Sequence, residues 1–289
     1  MISIILRGGL GNQLFQLFTC ISYGFDHKKQ IILSTTKEDS VSPVDNISLR
    51  PTYWDTFLSK FQFLLVDKND QIWSQFKIMY AEEDSYCPIP YHPANIMLNG
   101  YFQSYKYFHT HKSSVFSLLN LDVYKEQVLS KYDMPTDTLH ISMHFRIGDY
   151  KQAGADIHPI LHINYYSNSI QFIKNNIDSF SSQKVKIICF GEKTNKEEIL
   201  TSIHFLSTMF PQILFEFLEK DITDYEEMIL MSLCQHNIIA NSTFSWWGAY
   251  LNQNPTKIVS YPQTWFGPCI RKNTTDLCPP EWNCISSDI

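Results

Sequence analysis

Positive charge is scarce along this chain of 289 residues: 23 Lys and Arg stand against 29 Asp and Glu, a formal net charge of -6. The clustered cations that grip a nucleic-acid backbone are missing, so any phosphate the protein meets belongs to a small ligand. No apolar run approaches the ~20 residues of a membrane span. The opening residues, Met1-Ile2-Ser3-Ile4-Ile5-Leu6-Arg7, have no basic stretch ahead of the apolar ones and run straight into glycines. That is the pattern of neither a signal peptide nor an anchor. Seven cysteines, at 20, 87, 189, 234, 269, 278 and 284, form no C-x-x-C pair. Cys189 and Cys234 fall in or beside expected core segments, where cysteine behaves as a small hydrophobe. Cys269, Cys278 and Cys284 sit in a proline-containing tail that an oxidising compartment could bridge, but without a secretory signal reduced thiols and a cytoplasmic location are expected. The glycosylation patterns at Asn46, Asn241 and Asn273 are then chance matches. H-E-x-x-H, G-x-S-x-G and D-x-D are all absent, which removes the signatures of a zinc hydrolase, an esterase elbow and a common metal-dependent sugar-nucleotide site. There is no repeat, no low-complexity tract and no long linker.

What is present is ordinary in hydrophobic (44%) and charged (18%) content but rich in aromatics, at 15% with 20 Phe and 16 Tyr. Most of these must be core, and some suit a sugar site. The length exceeds a typical single domain and implies two domains of ~130 to 150 residues with a cleft between them.

The chain opens as strand (2–7), glycine turn (8–11), helix (12–26) and strand (30–33), a compact start of the nucleotide-binding type. From 38 to 135 the signals are weaker, with turns at Pro43, Pro51, Pro88, Pro90 and Pro93, and the strands cannot be ordered. Beyond Pro135 strand and helix alternate. Strands are expected at 139–143, 185–190, 213–217, 237–240 and 257–261. Helices are expected at 162–177, after Thr194 with Ile199, Leu200, Ile203 and Leu206 on one face, at 221–234, and from 241 to before Pro255. Strands joined in this way by helices imply a parallel sheet covered on both faces.

Three strand-to-turn junctions carry the candidate chemistry. At 8–13 a glycine turn follows the first strand and lets backbone amides approach a ligand. It is not the dinucleotide fingerprint, since the last glycine of G-x-G-x-x-G would fall on Leu14, and it equally suits a tight turn with no ligand. At 144–150, HFRIGDY places an imidazole, a guanidinium, a glycine and a carboxylate at the exit of a buried strand, where ligands bind in open α/β sheets. Arg146 offers planar, bidentate donors to phosphate oxygens and suits a departing phosphate without a metal ion. The alternative is a surface ion pair between Arg146 and Asp149. At 241–247 small hydroxyl residues open a helix, which favours an anion at its positive end or reflects plain capping, with Trp246 and Trp247 as core.

In order and spacing, GGLGNQLFQ (8–16), HFRIGDY (144–150) and IANSTFSWWGAYL (239–251) resemble the signature segments of the α-1,2-fucosyltransferases, glycosyltransferase family eleven, over nearly the whole chain. The resemblance implies an α/β fold of GT-B type, two Rossmann-like domains facing across a cleft, with an acceptor-side domain at 1–135 and a GDP-L-fucose-binding domain at 136–289. It implies inversion at the sugar carbon with no metal and no cofactor beyond the donor substrate. O2 of a galactoside displaces GDP in one step through an oxocarbenium-like state.

On this resemblance Arg146 matches the arginine that contacts the β-phosphate, and His144 and Asp149 match positions that shape the nucleotide pocket. Ser242, Thr243 and Phe244 match the loop beneath the phosphates. Gly9, Gly11 and Asn12 match the N-terminal loop facing the donor, with Asn12 joining Arg146 in the catalytic role. Guanine presents two adjacent donors that a carboxylate accepts; of Asp224, Glu226 and Glu227, the last stands where relatives usually carry aspartate. Ile147 is a second departure, since many relatives have another arginine there. The general base is left among His144, Asp149, Asp156 and His158. The expected partners are GDP-L-fucose and a galactose-terminated glycan, with no nucleic acid and no membrane span. Transfer to another sugar hydroxyl or to a protein, or a non-catalytic carbohydrate-binding role that uses tryptophan and tyrosine, are the alternatives.

Overall fold

The computed structural model describes residues 1–36 and 51–288. Pro43 and Asn46 lie outside the described residues. Contacts divide the chain into two units, Met1–Leu121 with Arg271–Pro279, and Asp122–Ile270 with Pro280–Ile289. The sequence reading draws a single boundary between 135 and 136. In the structure the tail segment Arg271–Pro279 belongs to the first unit, where Lys106 pairs with Asp276 at 2.5 Å and the Asn273 amide donates to the Asp84 carbonyl at 2.8 Å. Nine residues without apolar periodicity leave no mark of this return in the sequence.

The first unit contains β1 (Ile2–Ile4), α1 (Leu10–Asp26), β2 (Leu33–Ser34), β3 (Leu65–Val66), β4 (Ile78–Ala81), β5 (Ile96–Asn99) and α2 (Lys112–Leu119), and α3 (Leu121–Leu129) leads into the second. Its sheet runs β1-β5-β4, all parallel, with β2 and β3 as a separate parallel pair. Helix α1 is apolar nearly all round and accordingly buried, with Leu14, Phe15, Leu17 and Phe18 fully covered. Phe15 and Phe18 pack on Phe108 with ring centres 5.7 and 6.2 Å apart, so much of the aromatic content is core.

The second unit contains β6 (Thr138–His144), α4 (Tyr150–Ala153), α5 (Ile163–Asn175), β7 (Lys184–Phe190), α6 (Lys196–Met209), β8 (Ile213–Phe217), α7 (Asp224–Leu233), β9 (His236–Ile238), α8 (Thr243–Tyr250), β10 (Val259–Pro262) and β11 (Asn283–Ile285). Its six strands lie in the order β11-β10-β9-β6-β7-β8, every pairing parallel. The α/β class read from the sequence is thus present in both units.

Alternation along β6 explains why this sheet is covered on both faces. Leu139, Ile141 and Met143 join a core with Tyr165, Ile170 and Ile173 of α5 and Ile199 and Leu206 of α6. On the other face, Ser142 accepts a 2.7 Å hydrogen bond from Asn237 of β9, which also donates to the Met231 carbonyl of α7 at 2.8 Å.

Several boundaries differ from the sequence reading for local reasons. Helix α6 is preceded by a 3-10 turn at Lys193–Asn195, so Asn195 and not Thr194 stands at its N-cap. Leu200 is 40% exposed and leaves the apolar face that Ile199 and Leu206 form. Helix α7 starts at Asp224 because Thr223 and Glu226 close a capping box, which fixes its entry three residues later than expected. Strand β11 carries too short a pattern to be seen in sequence. Among the described residues no helix is long and apolar enough to cross a membrane.

Candidate functional site

In the second unit the carboxyl ends of β6, β7 and β9 deliver three polar segments to one edge of the sheet. Strand β6 ends at His144, and the chain turns at once through Arg146 and Asp149 into α4. The Arg146 guanidinium is 17% exposed and forms an ion pair with Asp149 at 2.5 Å. On its other edge it donates to Glu192, the second residue past the end of β7. Its flat face lies 5.1 Å from the centre of the Tyr150 ring. Burial works against its charge, but Asp149, Tyr150 and Glu192 outweigh that, and the pKa stands above the ordinary arginine value.

The ion pair with Asp149 is therefore real, but it is a partly buried clamp and not a surface pair. Glu192 is not among the residues that the sequence pattern singles out. The available signal was the strand-end rule, applied to β7 as it was to β6.

His144 is buried, and its ring nitrogens are far from protonation at neutral pH: burial first, and the neighbouring Arg146 second, lower the pKa to about 3. Its Nδ1 has no hydrogen-bond partner. Its ring centre stands 5.8 Å from that of Phe244, in the first turn of α8. Ser242 is the N-cap of α8 and accepts a 3.4 Å hydrogen bond from the Phe244 amide, so the capping alternative holds for this hydroxyl. Thr243 opens the helix beside it, and Trp246 and Trp247 are fully buried core.

The segment at 239–251 is joined to the arginine turn by the Tyr150 hydroxyl, which donates to the Asn241 carbonyl at 2.7 Å. Asn241 donates from Nδ2 to the carbonyls of Pro159 and Trp265 at 2.9 and 3.1 Å, while its buried Oδ1 is left without a partner. Buried polar atoms of this kind are uncommon, and two of them lie in segments that meet at this edge. Ile147 is partly buried and packs against the hydrophobic core.

The first turn of α7 separates its three acids by role. Glu226 closes the capping box and pairs with Lys131. The Asp224 carboxylate accepts from the Tyr225 amide at 2.8 Å. Glu227 makes no side-chain hydrogen bond or ion pair among the described residues. Burial raises its pKa to about 7, against a lowering by Lys193 and with a further rise from Asp224.

Of the proton acceptors considered from sequence, His144 is too weak a base, Asp149 is engaged with Arg146, and His158 is stacked on Tyr150 with ring centres 4.6 Å apart. Asp156 is exposed, and its backbone carbonyl accepts from the Cys269 amide at 2.9 Å.

In the first unit, the turn between β1 and α1 holds the remaining candidates. Gly8 has φ +73°, a conformation that other residues adopt only with strain, and its carbonyl accepts from Gln13 Nε2 at 2.9 Å. Gly9 is the N-cap of α1, and a β-carbon there would meet only open space, so the backbone can be approached closely. Gly11 is buried within the first helical turn. The Asn12 side chain accepts a 2.9 Å hydrogen bond from Gln103. Gln16 accepts from the Arg7 amide at 2.9 Å and donates to the Gly100 carbonyl at 3.2 Å, so the glutamines of this segment serve to pin the turn.

The family model described as glycosyl transferase family 11 matches residues 1–286. Among curated proteins, the chain is similar to the O-antigen biosynthesis glycosyltransferase WbnK of Escherichia coli, 29% identical over 64% of this chain and 59% of that protein. It is similar also to an alpha-1,2-colitosyltransferase of the same organism, 31% identical over 63% and 60% of the two chains. The matched stretch thus spans about three fifths of each. A galactoside 2-alpha-L-fucosyltransferase of Caenorhabditis elegans is 24% identical over 98% of this chain and 75% of that one. Among solved structures, a mutant of Arabidopsis thaliana FUT1 in complex with GDP matches at 11% identity over 90% of this chain and 70% of that chain, with a TM-score of 0.44. The ADP-heptose heptosyltransferase II of E. coli matches at 11% identity over 99% and 90%, with a TM-score of 0.49.

Proposed function

The chain belongs to glycosyl transferase family 11, and on that premise we propose that it is an inverting glycosyltransferase of GT-B type that moves L-fucose from GDP-L-fucose to O2 of a galactoside. The observation that carries this reading is the guanidinium of Arg146, partly buried at the carboxyl edge of a parallel sheet, with neutral His144 beside it. A charge in that position, drawn out of water, interacts strongly with a developing negative charge.

In this reading the donor's diphosphate lies against the exits of β6 and β9. Arg146 neutralises the β-phosphate as the bond to the sugar carbon breaks. The neutral imidazole of His144 adds a hydrogen bond without a second positive charge. Ser242, Thr243 and Phe244 present the amino end of α8 to the phosphates, where its free amides favour an anion. The Glu227 carboxylate, with no side-chain hydrogen bond or ion pair among the described residues, accepts from the two adjacent donors of guanine. Asn12, Gly9 and Gly11 are carried over from the family resemblance as further contacts to the donor. The acceptor hydroxyl attacks the sugar carbon from the side opposite GDP, which inverts it.

One relative is named for colitosyl transfer, and that favours a second reading in which colitose replaces fucose as the sugar moved. Incubation of the protein with GDP-L-fucose and a β-galactoside tests the first. The expected result is GDP release that depends on the acceptor and continues in EDTA, with a product whose NMR spectrum shows an α-1,2 linkage. A product linked elsewhere, or a preference for the colitose donor, selects a different member of the same reaction class. Tight binding of glycans with no affinity for GDP contradicts transferase activity altogether.

A further inference from the structure

Two carboxylates hold Arg146, and they are not equivalent. Asp149 lies three residues along the same turn and moves with the arginine. Glu192 comes from the next strand, and its side chain is 38% exposed against 27% for Asp149. Its carboxylate rests directly on Gly148: a β-carbon at that position would stand 2.1 Å from one of its oxygens. The lack of a side chain at 148 is what lets Glu192 reach the guanidinium.

The electrostatics of the trio are the wrong sign for its proposed ligand. One positive charge against two negative ones leaves a net negative site, and a diphosphate adds more negative charge to it. Both terminal guanidinium nitrogens are also engaged, one by Asp149 and the other by Glu192. A diphosphate that takes both terminal nitrogens must displace a carboxylate, and Glu192, the more exposed one and borne on a separate strand end, is the one placed to leave.

We infer that Glu192 is a positioning residue: it occupies a guanidinium donor that the donor's diphosphate takes over, and it sets donor affinity by competing for it. This rests on the reading that Arg146 binds the diphosphate. Glu192 keeps the charge of Arg146 compensated until the donor arrives, at a cost in affinity.

Calorimetric titration with GDP of the intact wild-type chain and of Glu192→Gln, Glu192→Ala and Arg146→Ala tests both layers. Loss of the competing charge is expected to tighten GDP binding roughly three- to tenfold in both Glu192 variants. In assays it lowers the donor KM and leaves the acceptor KM unchanged. A residue with only a structural role gives the opposite sign, weaker binding on removal. Arg146→Ala is expected to lose GDP. If Arg146→Ala loses GDP but neither Glu192 variant binds it more tightly than wild type, competition by Glu192 is overturned and the phosphate site stands. If Arg146→Ala binds GDP like wild type, the phosphate site itself is overturned, and the inference with it.

Discussion

The phenolic hydroxyl of Tyr150 donates to the backbone carbonyl of Asn241 at 2.7 Å, tying together two segments 91 residues apart in the chain. The same ring faces the Arg146 guanidinium at 5.1 Å and stacks on His158. Tyr150 is thus the joint between the arginine turn and the amino end of α8. Burial first of all raises its pKa to about 12, with Asp149 adding to the rise and Arg146 opposing it, so the hydroxyl keeps its proton at any working pH.

Tyr150→Phe removes this bond together with the hydroxyl's interaction with Arg146 and keeps the ring. The Asn241 carbonyl then loses a partner in a partly buried site, which is expected to cost about 1 to 2 kcal/mol of folding stability. The Tm should fall by a few degrees in a thermal melt, and GDP affinity should fall with it because the two segments are no longer held in register. A variant with an unchanged Tm and unchanged GDP affinity contradicts the role of this joint.

Gly248 places α8 against α7. A β-carbon there would stand 2.8 Å from the Met231 β-carbon, an atom close to the backbone with little room to move. Gly248→Ala is expected to force the helices apart at a cost of about 1 to 3 kcal/mol. Chemical denaturation checks this, and the expected result is a lower midpoint with an unchanged slope.

Glu227 gives opposite pH trends to stability and to ligand binding. Its carboxyl is raised by burial from 4.5 to about 7, so between those values the folded chain holds a proton that the unfolded chain has released. Its contribution to stability is present at the low end of this window and is lost as pH rises through 7. In the proposed function guanine, by contrast, needs the carboxylate. GDP affinity is expected to weaken by about tenfold per unit below pH 7 and to level off above it. In Glu227→Gln the affinity is lower and that slope is gone, which titrations at pH 5.5, 6.5 and 7.5 would show.

How far the sequence reveals these features follows from what writes each one into it. Strands β6, β7 and β8 and helix α5 are legible because burial on a core face imposes apolar residues at fixed spacing, as at Ile163, Tyr166, Ile170 and Ile173. Arg146 is legible because a guanidinium at the end of an apolar run is conspicuous. Glu192 is not, because a glutamate after Gly191 looks like any solvated loop residue until β6 and β7 are known to be neighbours. The tail is the same case: Arg271–Pro279 joins the first unit through contacts such as Lys106 with Asp276, a long-range pairing with no local pattern. The coupling of Gly148 to Glu192 likewise exists only in three dimensions.

The central claim is that Arg146 carries the charge of the departing diphosphate, and acceptor-dependent GDP release by Arg146→Ala measures it most directly. Removal of the guanidinium leaves Asp149 and Glu192 facing each other uncompensated, so the variant should be assayed below its own melting transition, beside Arg146→Lys as a control that keeps the charge without the fork. The expected result is a kcat lowered by ~100- to 1000-fold in Arg146→Ala, roughly 2.7 to 4 kcal/mol of barrier. Turnover at the wild-type rate by a folded Arg146→Ala protein would contradict the account.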